Sequence, residues 1–267
     1  EPNYNIMPGD TVQVQLGYDG GLRTEFQGFV SAVKPNTPIE IMCEDAMWKL
    51  KQKTINKSWR KISMKDLILE LVPGTDVTFV PDITLEPFRV QNVSVAKALE
   101  KLKDDYGLVI YFRKGQLFVG FAYYDTNVSA AVYDLKFEPL QNQMEFKNID
   151  DVKLKVKAIS ILRDNTKIEV DVGDADGEQR TLHYYNIKTE AELKKIAAEE
   201  IKKMKFTGYT GSITTVGRVY SDHGWTADIK DDRYPERDTK VFIDGVKFNY
   251  DSNGYRREIM LGRKAGT

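Results

Sequence analysis

His183 and His223 are the only imidazoles in the chain and Cys43 the only thiol. Ser221, Asp222 and His223 supply the residue types of a nucleophilic triad. A triad, however, is a convergence of three side chains on one point, which adjacency in sequence does not provide. His183 lies in the run TLHYYNI (181–187), on the opposite face from Leu182 and Tyr184, as a half-exposed structural histidine would. Cys43 ends an apolar run and reads as a small buried hydrophobe rather than a nucleophile. Glu44 and Asp45 look like a pair of catalytic carboxylates, but neighbours at a strand-to-helix junction more often serve as helix cap and solvent contact. Asp171, Asp174, Asp176 and Glu178 make an acidic loop, DVGDADGEQ. It lacks the calcium-loop register of acids at positions 1, 3 and 5, Gly at 6 and Glu at 12. A charged hairpin tip is the simpler reading. There is no zinc spacing and no Gly-rich phosphate loop. The expectation is a protein that is not an enzyme, with no catalytic residue, no cofactor and no metal.

What remains is contact chemistry. In DVKLKVKAIS, Val152, Leu154, Val156 and Ala158 share one face, and Lys153, Lys155 and Lys157 share the other. That lysine face suits an acidic neighbour, or else water, where lysines also guard a sheet edge against aggregation. In FAYYD, Tyr123 and Tyr124 form a second candidate contact, because tyrosine is enriched at interfaces. Phe121 and Tyr133 fall nearby. The candidate interface residues are therefore Lys153, Lys155, Lys157, Tyr123 and Tyr124. Sequence-specific nucleic-acid binding is not expected, since no aromatics interleave with the lysines. The balance of 39 Lys+Arg against 40 Asp+Glu leaves no basic excess either.

Alternating strands must position these groups. GDTVQVQLGYDGGLRTEFQGFV places Val12, Val14 and Leu16 on one face and Thr11, Gln13 and Gln15 on the other. Asp19-Gly20-Gly21 can take the positive φ of a tight reversal. Gly28 falls on the face of Phe26 and Val30, marking a kink or close backbone approach. Strands are expected at 10–17, 23–33 and 38–43, then a short helix capped by Asp45 and a second from Ser63 to Pro73-Gly74. FRVQNV (88–93), a helix over 95–105 capped by Ser94, GLVIYF and QLFVG form a β-α-β-β unit. A strand follows at 130–135. After the lysine strand and KIEVDV comes the best helix of the chain, opened by the capping box Thr189-Glu190-Ala191-Glu192. KVFI, VKFNY and YRREIML, separated by Asp244-Gly245 and Asp251-Ser252-Asn253-Gly254, read as a three-strand meander.

With 267 residues, 41% hydrophobic and 30% charged, the chain has material for two or three soluble domains. No apolar run approaches the roughly 18 residues of a membrane helix, and no secretory leader pattern is visible. One cysteine excludes an internal disulfide and fits assembly in a reducing cytoplasm. The first strand begins within a few residues of a non-Met start, so the chain is expected to lack an N-terminal part.

Three stretches resemble the baseplate hub family of contractile phage tails, the late control protein D family. The related VgrG-type spikes of type VI secretion share that hub. The first stretch is GDTVQVQLGY with FQGFVSAVKP and IEIMCEDAMWKLK, which carries the family's GD-x-V and F-x-G-x-V strands. The second is VSVAKALEKLKDDYGLVIYFRKGQLFVG, similar to the small inserted α/β unit. The third is Gly208 to Lys264 with the long helix before it, similar to the second tube-type barrel. The resemblance implies a mainly β (α+β) fold of two tube-type antiparallel β-barrel domains with a small inserted α/β unit. It places the first barrel at 1–53 with 121–148, lacking its N-terminal strands, the insert at 54–120, and the second barrel at 149–267 with the helix 189–204. It further implies a homotrimer forming a pseudo-sixfold ring between the tail tube protein and the central spike protein. Other baseplate proteins would be further partners. The ring would sit in the virion after assembly in the bacterial cytoplasm, without membrane insertion. The hub part of a type VI-like secretion spike is the alternative. From another class, a periplasmic binding or adhesion module is suggested by the likeness of 88–120 to small domains of secretins and outer-membrane receptors.

Overall fold

A computed structural model describes residues 5–78, 80–106, 108–121, 128–137 and 139–265. The fold is mainly β. Strands β1 (Thr11–Tyr18), β2 (Gly21–Lys34) and β3 (Glu40–Glu44) form an antiparallel sheet in that order. Asp19 and Gly20, both at positive φ, close the β1–β2 hairpin with a two-residue turn. The expected alternation holds: Thr11, Gln13 and Gln15 are exposed, while Val12, Val14 and Leu16 are half-buried. Val30 is fully buried. Gly28 is a close approach, because a Cβ there would overlap the Glu44 carbonyl oxygen of β3 and the Phe26 ring.

Helix α1 (Met47–Gln52) leads into a compact α/β region. It contains β4 (Thr54–Trp59), β5 (Ile62–Ser63), α2 (Met64–Leu71), β6 (Val77–Thr78) and β7 (Thr84–Leu85). It continues with β8 (Phe88–Ser94), α3 (Val95–Tyr106), β9 (Leu108–Arg113) and β10 (Gln116–Phe121). Ser94 caps its helix as expected, accepting from the Lys97 amide, and Ser63, read as the start of α2, is its N-cap, accepting from the Asp66 amide. The β9–β10 turn has Lys114 and Gly115 at positive φ. The pairing differs from a single β-α-β-β sheet. β8 pairs with β4, and the β9–β10 hairpin takes β6 as its third strand. These small ladders enclose one core of Trp59, Met64, Leu67, Ile68, Leu71, Phe88, Leu99, Leu102 and Leu117. TINKSW and the two-residue strands carry too little apolar alternation to be read as strands in advance.

The remainder forms two further layers. β11 (Ala130–Asp134) and β12 (Pro139–Lys147) are followed by β13 (Leu154–Ile161), β14 (Lys167–Gly173), β15 (Glu178–Tyr185) and α4 (Glu190–Met204). Then come β16 (Gly208–Thr215), β17 (Thr226–Lys230), β18 (Thr239–Asp251) and β19 (Gly254–Lys264). One sheet has the order β14-β13-β15, with α4 across it. Leu154, Val156 and Ala158 pack there on Leu193, Ala197 and Ile201. The other sheet has the order β11-β17-β18-β19-β16-β12. The strands of 130–147, grouped by sequence with the opening hairpin, hydrogen-bond into this sheet, β11 on β17 and β12 on β16. Its core is Ala131, Tyr133, Ile213, Ile229, Val241, Ile243 and Ile259.

One turn expectation is corrected. Asp244-Gly245 lies inside the continuous strand β18, where the register against β19 slips on both sides of Ile243. The residues that permit a turn here permit a bulge. Gly262, with no Cβ, leaves room for the Asp244 carboxylate across the ladder. The meander is thus a hairpin of two long strands closed at Asp251–Gly254.

Candidate functional site

The lysine face is built as read, but its counter-charges come from the same chain. β14 runs antiparallel to β13 and presents Glu169 and Asp171 on the lysine side. Lys155 reaches Asp171 at 2.9 Å and Lys157 reaches Glu169 at 2.7 Å, while Lys153 pairs with Asp176 of the loop between β14 and β15. The Glu169 hydrogen bond holds the Lys157 ammonium above its usual range. An acidic partner for this face would have to displace these carboxylates. Tyr123 and Tyr124 lie outside the described residues.

The residues with catalytic types do not converge. Ser221 is buried and accepts from the Tyr133 hydroxyl at 2.8 Å. Asp222 accepts from the His223 amide and faces Arg113 Nε at 3.9 Å. The His223 ring stands edge-on to Tyr111 at 4.6 Å. Burial, then the neighbouring Arg113 charge, pushes its pKa below the usual histidine value. His183 is half-buried on β15, and burial lowers its pKa too. Cys43 is half-buried. Glu44 pairs with Lys51, and Asp45 accepts from the Met47 amide at 2.9 Å, holding the start of α1. Burial pushes the Asp45 carboxyl up.

The acidic loop is not the hairpin tip expected: it joins β14 to β15, which lie on either side of β13, and it arches over the start of β13, with the Asp174 and Glu178 amides donating to the Leu154 and Lys153 carbonyl oxygens. Asp174 accepts from the Leu154 amide at 3.0 Å and from Lys205, and these bonds hold its pKa below the usual carboxylate range, the Lys205 bond foremost. Glu178 pairs with Arg180 at 2.8 Å. Among the described residues no three His, Cys, Asp or Glu side chains are grouped to hold a metal.

Sequence reading missed the seam where the opening sheet, the α/β region and the six-stranded sheet meet. Arg257 of β19 points inward and pairs with Glu25 of β2, side chains only 3% and 4% exposed. It also donates to the Tyr255 hydroxyl at 2.8 Å and to the Ser221 carbonyl oxygen. The Tyr18 hydroxyl donates to the Tyr255 carbonyl oxygen at 2.7 Å, and Arg113 of β9 donates to the His223 carbonyl oxygen. A cavity of about 240 Å³ adjoins these groups. One signal was available. In YRREIML, Arg257 occupies an inward position of the alternation Tyr255, Ile259, Leu261, and a charge there requires a buried partner. Nothing local points to Glu25, which lies 232 residues away.

No family model matches the chain, and no curated protein matches it by sequence. Solved structures do match. The tail protein of Neisseria meningitidis MC58 aligns at TM-score 0.59 and 16% identity, over 90% of this chain and 80% of that one. The 43 kDa tail protein of prophage MuSo2 from Shewanella oneidensis aligns at TM-score 0.60 and 16% identity, over 97% and 82%. The E. coli c3393 protein, a type VI secretion component with structural similarity to the T4 bacteriophage tail proteins gp27 and gp5, aligns at TM-score 0.58 and 10% identity, over 94% and 63%. At these identities the likeness is one of fold: the chain has the mainly β fold of these tail and secretion proteins.

Proposed function

We propose that the chain is a structural component of a phage or prophage tail, the hub of its baseplate. In this reading it forms a homotrimer whose two barrel-type regions per subunit give a pseudo-sixfold ring. The ring joins the tail tube to the central spike, so its work is symmetry matching, without bond chemistry. Such a ring requires heterologous interfaces that close. The observation that carries the reading is the alignment of two tail proteins over 90% and 97% of this chain. The divergent partners of Ser221, Asp222 and His223 agree with a non-enzymatic role. Lys153, Lys155 and Lys157, with Tyr123 and Tyr124, are the proposed contacts to neighbouring baseplate proteins. The particle would be assembled in the bacterial cytoplasm.

The hub part of a type VI-like secretion spike is the second reading, favoured by the alignment of the E. coli secretion component over 94% of this chain. Neighbouring tube, tape-measure and spike genes would separate a tail from a secretion spike. Light scattering with negative-stain imaging tests both against a monomeric module. The expected result is three times the 30.5 kDa chain mass in a ring with a central hole. A compact monomer at high concentration would exclude the ring.

A further inference from the structure

Beside the seam lies a second recess, open to solvent, of about 740 Å³. Gln13 and Gln27, cross-strand partners on the wet face of the opening hairpin, line it. Arg23 of β2, Lys114 of the β9–β10 turn, Tyr220 and Trp225 line it as well. A further recess of about 530 Å³ continues past Gln13, Gln27 and Lys114. The volumes are those of ligand-sized clefts.

The charge arrangement is unbalanced. Three cations surround one ring: Lys114 Nζ, Arg257 Cζ and Arg23 Cζ lie 5.1, 5.0 and 5.6 Å from the Tyr220 centroid. Glu25 is committed to Arg257. Arg23 has a long 3.4 Å bond to the Arg218 carbonyl oxygen, and neither Arg23 nor Lys114 has a carboxylate partner among the described residues. Asp45 borders the further recess, where burial disfavours its charged form. The site is also held in shape. The Lys114-Gly115 turn takes the positive φ of a tight hairpin, and Trp225 stands edge-on to Tyr220 at 5.5 Å.

We infer that this recess docks an acidic peptide segment, with a carboxylate between Arg23 and Lys114 and an aromatic or large apolar side chain against Tyr220 and Trp225. Gln13 and Gln27 supply amides that can pair with a peptide backbone. Nucleic acid fits less well, since tracking a phosphate backbone needs a longer run of cations than two. The inference stands apart from the hub reading and holds whether or not the chain forms a ring.

The test is a titration of the whole chain, observed at the Trp225 indole N–H by ¹H–¹⁵N NMR. The probe is the blocked peptide Glu-Phe-Glu-Asp-Phe-Glu, compared with its Gln/Asn counterpart and with single-stranded oligothymidylate. The acidic peptide should saturate and bind at least about tenfold more tightly than the neutral one, weakening as salt is raised. Arg23→Glu and Lys114→Glu should each weaken it by about tenfold with unchanged melting, because both side chains are exposed. Arg23→Gln with Lys114→Gln repeats the test without reversing charge. Equal binding of the neutral peptide, indifference to these variants, or tighter binding of the oligonucleotide would each overturn the inference.

Discussion

The Arg257–Glu25 pair shows how a single residue can hold a junction between sheets. Two charges out of water are tolerable only while they neutralise each other. Glu25→Leu alone should therefore destabilise the chain by about 3–5 kcal/mol, because it leaves the guanidinium buried with one carbonyl and one hydroxyl. Glu25→Leu combined with Arg257→Met should recover most of that loss. A urea-denaturation cycle with no coupling between the two sites would contradict this. His223 and His183 give a second prediction. Both are held below the unfolded histidine value of 6.5, mainly by burial. The unfolded chain therefore takes up protons that the native one refuses. Their contribution to stability is complete above about pH 6.5 and is lost as pH falls through that value towards the lower native pKa. The urea midpoint should decline between neutral pH and about pH 5, and His183→Gln with His223→Gln should flatten that decline. A slope unchanged by both substitutions would remove histidine burial as its cause.

At the level of elements, the opening hairpin tests whether alternation assigns faces correctly. Val30→Asp should be the most damaging change, since Val30 is 1% exposed. Val14→Asp, on the half-buried side, should cost about 1–3 kcal/mol, and Gln13→Asp should stay within about 0.5 kcal/mol. Equal melting of the Val14 and Gln13 variants would mean the faces are misassigned. Local rules made this hairpin, the start of α2 at Ser63, the Ser94 and Thr189 caps and the lysine strand legible in the sequence, because each is decided by neighbours a few residues apart. Pairing was less legible. β11 could be read as a strand, but its place beside β17, almost a hundred residues on, is set by packing of Tyr133 and Ala131 in a distant core. Asp244-Gly245 misled because the chemistry of a turn and of a bulge is the same. The seam was hidden for the same reason as β11: its partners come from four elements and meet only in three dimensions.

At the scale of the whole molecule, the described cores are separate, and polar contacts cross between the regions. The Arg257–Glu25 pair, the Arg113 bond to the His223 carbonyl, and Tyr185, which accepts from the Thr84 amide at 3.3 Å, cross from one region to another. Hydrogen bonds contribute little net stability each, whereas a fully buried Leu or Phe contributes about 1.5–3 kcal/mol. The regions should therefore come apart before the densest core melts. The three tryptophans report on this separately. Trp48 stacks on Phe29 of the opening sheet at 6.0 Å, Trp59 sits in the α/β core, and Trp225 packs against the six-stranded sheet. Variants retaining one tryptophan each, with the other two replaced by Phe, should unfold in urea at different midpoints. Trp48 should respond first, because the opening sheet has only Val30 fully buried among its described apolar side chains. Trp59 should respond last, inside the core that holds Met64, Leu67, Ile68 and Leu71 at 0% exposure. Coincident midpoints would show the seams to be as strong as the cores, and the chain would then unfold as one cooperative unit.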